Sequence, residues 1–80
     1  MINIKADLHE FIFQELIFSP DADNFSDNEN LIEAGLDSMA IMRLVMFIEE
    51  RFNVTLPDNE VEPENIQTIK ALQQWILRHK

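Results

Sequence analysis

Cysteine and tyrosine are absent from this chain of 80 residues, glycine occurs once, and six bases face fifteen acids. The missing thiol excludes a disulfide framework, a thiolate metal site and a cysteine nucleophile. One glycine and three prolines favour helices over a turn-rich sheet. A net charge of −9 repels nucleic acid and anionic membrane and attracts basic protein surfaces. The charge is uneven. Residues 1–37 hold nine acids and one base, whereas residues 63–80 hold one acid and three bases. Long apolar runs are also lacking. Asp7, His9, Glu10 and Glu15 interrupt the first segment, so it does not read as a signal peptide. No segment approaches the roughly 20 apolar residues that a membrane span needs. The expectation is a soluble, cytoplasmic protein of one small domain, residues 1–80, bound to neither nucleic acid nor membrane.

Catalytic constellations are scarce as well. His9 and His79 lie near opposite ends of the chain and read as solvated helix-surface residues. Ser38 has no histidine in its sequence neighbourhood, so a nucleophilic triad is not expected. The acidic stretch fails as an EF-hand loop. Counting from Asp21, positions that need Asp or Asn, glycine and glutamate hold Phe25, Ser26 and Ile32. The chain therefore reads as a non-enzyme with no metal site.

What is present is helical periodicity. Ile4, Leu8, Phe11, Ile12 and Leu16 fall at helical spacing, with Glu15 spoiling the stripe. They predict a first helix from about Ile4 to Phe18, ended by Ser19-Pro20. A long acidic connection follows over 19–37, for which Phe25, Leu31, Ile32 and Leu36 are the apolar anchors. A second helix is expected from Ser38 to near Phe52, with Ile41, Leu44, Val45, Ile48 and Phe52 facing the core. Met39, Met42 and Met46, with Phe47 nearby, form a second apolar band on it. Pro57 and Pro63 bracket a short segment. Thr68 reads as the N-cap of a last helix, with Ile69, Leu72 and Ile76 inward and Trp75 at their edge. The fold class is all-α: three main helices, one short helix and a long first loop.

The lone glycine decides where chemistry could lie. Gly35 permits a turn that other residues resist and delivers Ser38 to the start of the second helix, an electropositive place suited to an attached phosphate. An ordinary N-cap is the plainer role for such a serine.

Leu31-Ile32-Glu33-Ala34-Gly35-Leu36-Asp37-Ser38-Met39 resembles the attachment-site motif of acyl and peptidyl carrier proteins. The similarity continues through Phe52-Asn53-Val54-Thr55-Leu56-Pro57 and Pro63-Glu64-Asn65-Ile66-Gln67-Thr68-Ile69, and so covers about the whole chain. The resemblance implies a four-helix bundle of carrier-protein type. It implies that a phosphopantetheinyl transferase moves 4′-phosphopantetheine from coenzyme A onto Ser38, with Gly35 and Asp37 as motif residues. The arm's thiol would then carry an acyl or aminoacyl group as a thioester. It also implies that Met39, Met42, Arg43, Met46, Phe47, Glu49 and Glu50 dock onto partners. These would be an adenylating or acyl-loading enzyme, then condensation, ketosynthase or thioesterase-type enzymes, met by a monomeric carrier.

Two departures from the family pattern bear on cargo. Met39 stands where leucine is more usual after the serine. Arg43 stands where fatty-acid carriers usually place an acid, and arginine there is commoner in peptidyl carriers. With the strong acidity, the mixture resembles a stand-alone carrier of nonribosomal peptide or mixed polyketide–peptide pathways. The alternatives are a fatty-acid-type acyl carrier and an unmodified helical adaptor in which Ser38 only caps a helix.

Overall fold

The computed structural model describes residues 3–17 and 26–80. Helix α1, Ile4–Phe11, starts under Asn3, whose side chain accepts the Ala6 N–H at 3.0 Å. It continues as one wider π turn, Ile12–Leu16. The Ile17 N–H donates to the Ile12 carbonyl at 2.7 Å, so an extra residue fits within the turn. The physical effect is a change of register. Ordinary spacing would turn Leu16 inward after Ile12, but the π turn sends Ile17 into the core and leaves Leu16 half-buried. The helix is therefore shorter than the periodicity predicts, because Ile17 is already extended. Phe18, Ser19, Pro20 and Phe25 lie outside the described residues.

Helix α2 spans Ser38–Phe52, as the sequence predicts. Ala40, Leu44, Val45, Ile48 and Phe52 are its buried residues; Ile41 is only half-buried and Ala40 takes the inward place. Asn53 closes the helix in the left-handed conformation, φ 54°, a position asparagine tolerates better than most residues. A single 3₁₀ turn, Asp58–Glu60, and a four-residue helix α3, Pro63–Ile66, fill the segment between the prolines. Thr68 Oγ1 accepts the Ala71 N–H at 3.0 Å and opens α4, Ile69–His79. No strand occurs among the described residues.

The buried apolar side chains form one cluster drawn from α1 and its π turn, the loop before α2, α2, the loop after it, α3 and α4. Helices α1 and α4 lie against each other. Trp75 belongs to the cluster and is wholly buried, not at the edge of the inward face as the spacing implies. It can be so because its indole N–H finds an acceptor, Glu60 Oε1, at 2.8 Å; a buried indole usually needs one. His79 Nε2 lies 2.6 Å from the same oxygen, so this histidine is a hydrogen-bond partner of Glu60 and not a merely solvated residue. Hydrogen bonds to Trp75 and His79 hold the Glu60 carboxyl below its ordinary range. Arg78 completes the cluster by donating to Asn65, whose amide donates to the Glu60 carbonyl.

Candidate functional site

The second half of the long connection is a set of short hydrogen-bonded turns. Asn30 Oδ1 accepts the N–H groups of Ile32 and Glu33 at 2.9 and 3.1 Å. The resulting single turn ends where the Leu36 N–H returns to the Leu31 carbonyl at 3.0 Å. Gly35 makes that return possible with φ +124°, a conformation that side chains resist. A Cβ at Gly35 would meet nothing within 4 Å, so the glycine is there for its backbone and not for lack of space. Leu31 and Leu36 are buried and anchor the turn, whereas Ile32 is 39 % exposed and does not. The Leu31 N–H also donates to the Gln67 carbonyl at 2.6 Å, and the Lys70 N–H to the Asp27 carbonyl at 3.1 Å. The approach to α2 is thereby tied to the junction of α3 and α4.

Asp37, not Ser38, is the N-cap of α2. Its Oδ1 accepts the Ala40 N–H at 2.8 Å, and its carbonyl accepts the Ile41 N–H at 2.9 Å. Ser38 is the first helical residue, is exposed, and has no hydrogen-bond partner for its hydroxyl among the described residues. The cap role that would explain Ser38 without chemistry is already filled by its neighbour. A sequence signal for this was present, since aspartate directly before a helix start is among the preferred caps. The amides of Ser38 and Met39 precede the first intrahelical bonds and remain available at the positive end of the helix.

The face of α2 beyond Ser38 carries Met39, Met42, Arg43, Met46 and Glu50, all exposed. Met39 is 77 % exposed, Met42 59 % and Met46 61 %, so these methionines do not fill the core. Two residues of the expected docking set are otherwise engaged. Phe47 is half-buried and stacks on Phe11, ring centroids 4.1 Å apart. Glu49 is half-buried, and its Oε2 accepts the Leu56 N–H at 2.9 Å, holding the loop after α2. A shallow cleft of about 190 Å³ opens beside Ser38. Its lining joins Asp37, Met39, Ala40 and Arg43 to Glu15 and Leu16 from the end of α1. Sequence reasoning assigned no role to Glu15, Leu16 or Ala40 here, because only the fold brings the π turn against the start of α2.

The sequence profile of the family described as "Phosphopantetheine attachment site" matches residues 13–76. This chain belongs to that family. The phosphopantetheine-attachment domain is named for its prosthetic group, 4′-phosphopantetheine. Ser38 and the cleft both lie within the matched residues.

Among similar proteins, "Aminoacyl carrier protein 2" of Bradyrhizobium diazoefficiens is 38 % identical over 47 residues, 59 % of this chain and 53 % of that protein. The match thus spans about half the length of that relative. The "Acyl carrier protein" of Wolinella succinogenes is 31 % identical over 78 residues, 96 % of this chain and 97 % of its own. The fold is similar to a chain, 99 % of it covered, in the crystal structure of an engineered Bradyrhizobium japonicum glycine:[carrier protein] ligase complexed with a carrier protein from Agrobacterium tumefaciens and ATP. There the TM-score is 0.82, with 28 % identity over 95 % of this chain.

Among the described residues no group of three or more His, Cys, Asp or Glu could hold a metal ion. No described helix is long and apolar enough to cross a membrane.

Proposed function

We propose that this chain is a swinging-arm carrier of acyl or aminoacyl groups, and that Ser38 takes the phosphopantetheine. The observation that carries the reading is an exposed serine hydroxyl, engaged by nothing among the described residues, on the first residue of α2 with its cap supplied by Asp37. In the modification, Ser38 Oγ attacks the pantetheine-side phosphorus of coenzyme A. An Oγ–P bond forms and a P–O bond of the pyrophosphate breaks. Adenosine 3′,5′-bisphosphate leaves, and the hydroxyl proton passes to a base on the transferase. The resulting phosphodiester would lie at the positive end of α2, which favours it by about 0.3–1 kcal/mol. When bound, the group supplies a terminal thiol that holds cargo as a thioester, which is how a chain without cysteine does thiol chemistry.

Arg43 and the likeness to aminoacyl carriers favour an amino acid as cargo, loaded by an adenylating ligase. Likeness to the Wolinella acyl carrier over almost the whole chain supports the fatty-acyl reading as the second one. In both, the chain is the substrate of its partners and not a catalyst. Met39, Met42, Arg43, Met46 and Glu50 form the face those partners meet, with methionine suited to several partners in turn.

Intact mass spectrometry after incubation with coenzyme A, magnesium and a promiscuous transferase tests the site. One added phosphopantetheine on the native chain, absent from Ser38→Ala, is the expected result. An unchanged mass on a folded native chain overturns it and leaves the adaptor reading. Loading assays with ATP and either amino acids or fatty acids then separate the two cargo classes.

A further inference from the structure

The cleft beside Ser38 is built from unlike parts that suit one kind of ligand. Leu16, Met39 and Ala40 give its lining apolar surface, and Glu15, Asp37 and Arg43 add both signs of charge. Asp37 spends one carboxylate oxygen on its cap. Arg43 makes no ion pair among the described residues, although two carboxylates line the same hollow.

At about 190 Å³ the cleft is smaller than the roughly 300–1,000 Å³ of pockets that enclose a whole drug-sized ligand. It fits a segment of a chain tethered nearby: Asp37 and Met39, the chain neighbours of Ser38, line the cleft, although Ser38 itself does not. A tethered segment is present at an effective concentration of order millimolar, so a cleft too shallow to hold free ligand can still be occupied.

A hollow of similar size farther along, about 210 Å³, suits this role less well. It is lined by Asp7, Glu10, Phe11, Gln14, Phe47 and Arg51. Phe47 is nine residues beyond Ser38, about 13 Å along the helix axis, and Arg51 is already paired with Asp7 at 3.1 Å.

We propose that the cleft at the junction of the π turn and α2 is a resting site for the near half of the phosphopantetheine arm. The proposal rests on the reading of Ser38 as the attachment residue. Leu16 and Met39 offer an apolar seat for the geminal methyl groups of the pantoyl unit. Arg43 donates to its amide carbonyl, and Glu15 accepts from its hydroxyl or amide N–H. Seated there, the near half of the arm lies between the end of α1 and the exposed methionine face, beside the surface that partners approach.

The test uses the isotope-labelled protein carrying an unlabelled arm, with the added mass first confirmed. Isotope-filtered NOEs should connect the arm's geminal methyls to the methyls of Leu16 and Met39. Glu15→Ala, at an exposed position outside the partner face, should take up the same mass and weaken those NOEs. Fully modified native protein with no such NOEs, or with NOEs to Phe11 and Phe47, overturns the resting site and leaves the attachment reading intact. NOEs that persist unchanged in Glu15→Ala overturn the part assigned to that carboxylate. No added mass on the native chain overturns the attachment reading and the resting site together.

Discussion

Replacing two adjacent residues separately should divide stability from modification at the start of α2. Asp37 Oδ1 holds the Ala40 N–H at 2.8 Å, whereas Ser38 is exposed and holds nothing among the described residues. Asp37→Ala loses a cap bond of about 1 kcal/mol and a carboxylate at the positive helix end, about 0.3–1 kcal/mol more. In a domain of this size 1 kcal/mol moves Tm by about 4–8 °C, so the combined loss lowers Tm by about 5–16 °C. Asp37→Asn keeps an acceptor and loses only the charge, for a fall of about 1–8 °C, smaller than that of Asp37→Ala. Ser38→Ala stays within about 0.5 kcal/mol of the native chain. Thermal melts followed by far-ultraviolet circular dichroism on the unmodified protein read all three. A Ser38→Ala destabilisation equal to that of Asp37→Ala would refute the assignment of the cap, and with it the argument that Ser38 is free for chemistry.

Gly35→Ala should cost about 1–3 kcal/mol through the backbone alone, because φ is +124° and the added methyl meets nothing within 4 Å; denaturant melts reading less than a few tenths would sink that account. Glu60 predicts an acid-side effect. Its carboxyl is held below the ordinary value of 4.5 by hydrogen bonds to Trp75 and His79. Its contribution is therefore present above 4.5 and fades as pH falls through the lowered value. The Tm gap between native and Glu60→Gln should be widest near neutrality and close in acid, and a gap constant with pH would contradict it. Glu62 works in the opposite sense. A hydrogen bond and like charge from Glu64 hold its carboxyl above 4.5, so its contribution weakens as pH rises, and Glu62→Gln separates the two trends.

Much of this was legible in the sequence for identifiable reasons. The bounds of α2 follow from Asp37 before it and Asn53 after it, and Thr68 marks the start of α4 by the same capping chemistry. Gly35 was readable because one residue type alone adopts its φ without strain. The π turn was not readable, since it breaks the periodicity on which helix reading depends and exchanges Leu16 for Ile17 in the core. Trp75 was misplaced because its burial hangs on Glu60, fifteen residues away, and no local pattern reports that pairing. The engagement of Glu49 with the Leu56 amide and of Phe47 with Phe11 is equally non-local. The family resemblance implies that both residues belong to the docking face. The cleft beside Ser38 escaped for the same reason, being shared between α1 and α2.

The wholly buried Trp75 also makes the chain its own optical probe. It is the sole tryptophan, and no tyrosine is present to obscure its emission. Its indole sits in the apolar interior on α4 and is held by one carboxylate, while the proposed attachment point is exposed at the head of α2. An arm that rests on the surface leaves that emission unchanged when cargo is loaded. A shift in wavelength or intensity on loading would mean that the cargo has entered between the helices. One spectrum thus distinguishes a carrier that displays its burden from one that shelters it.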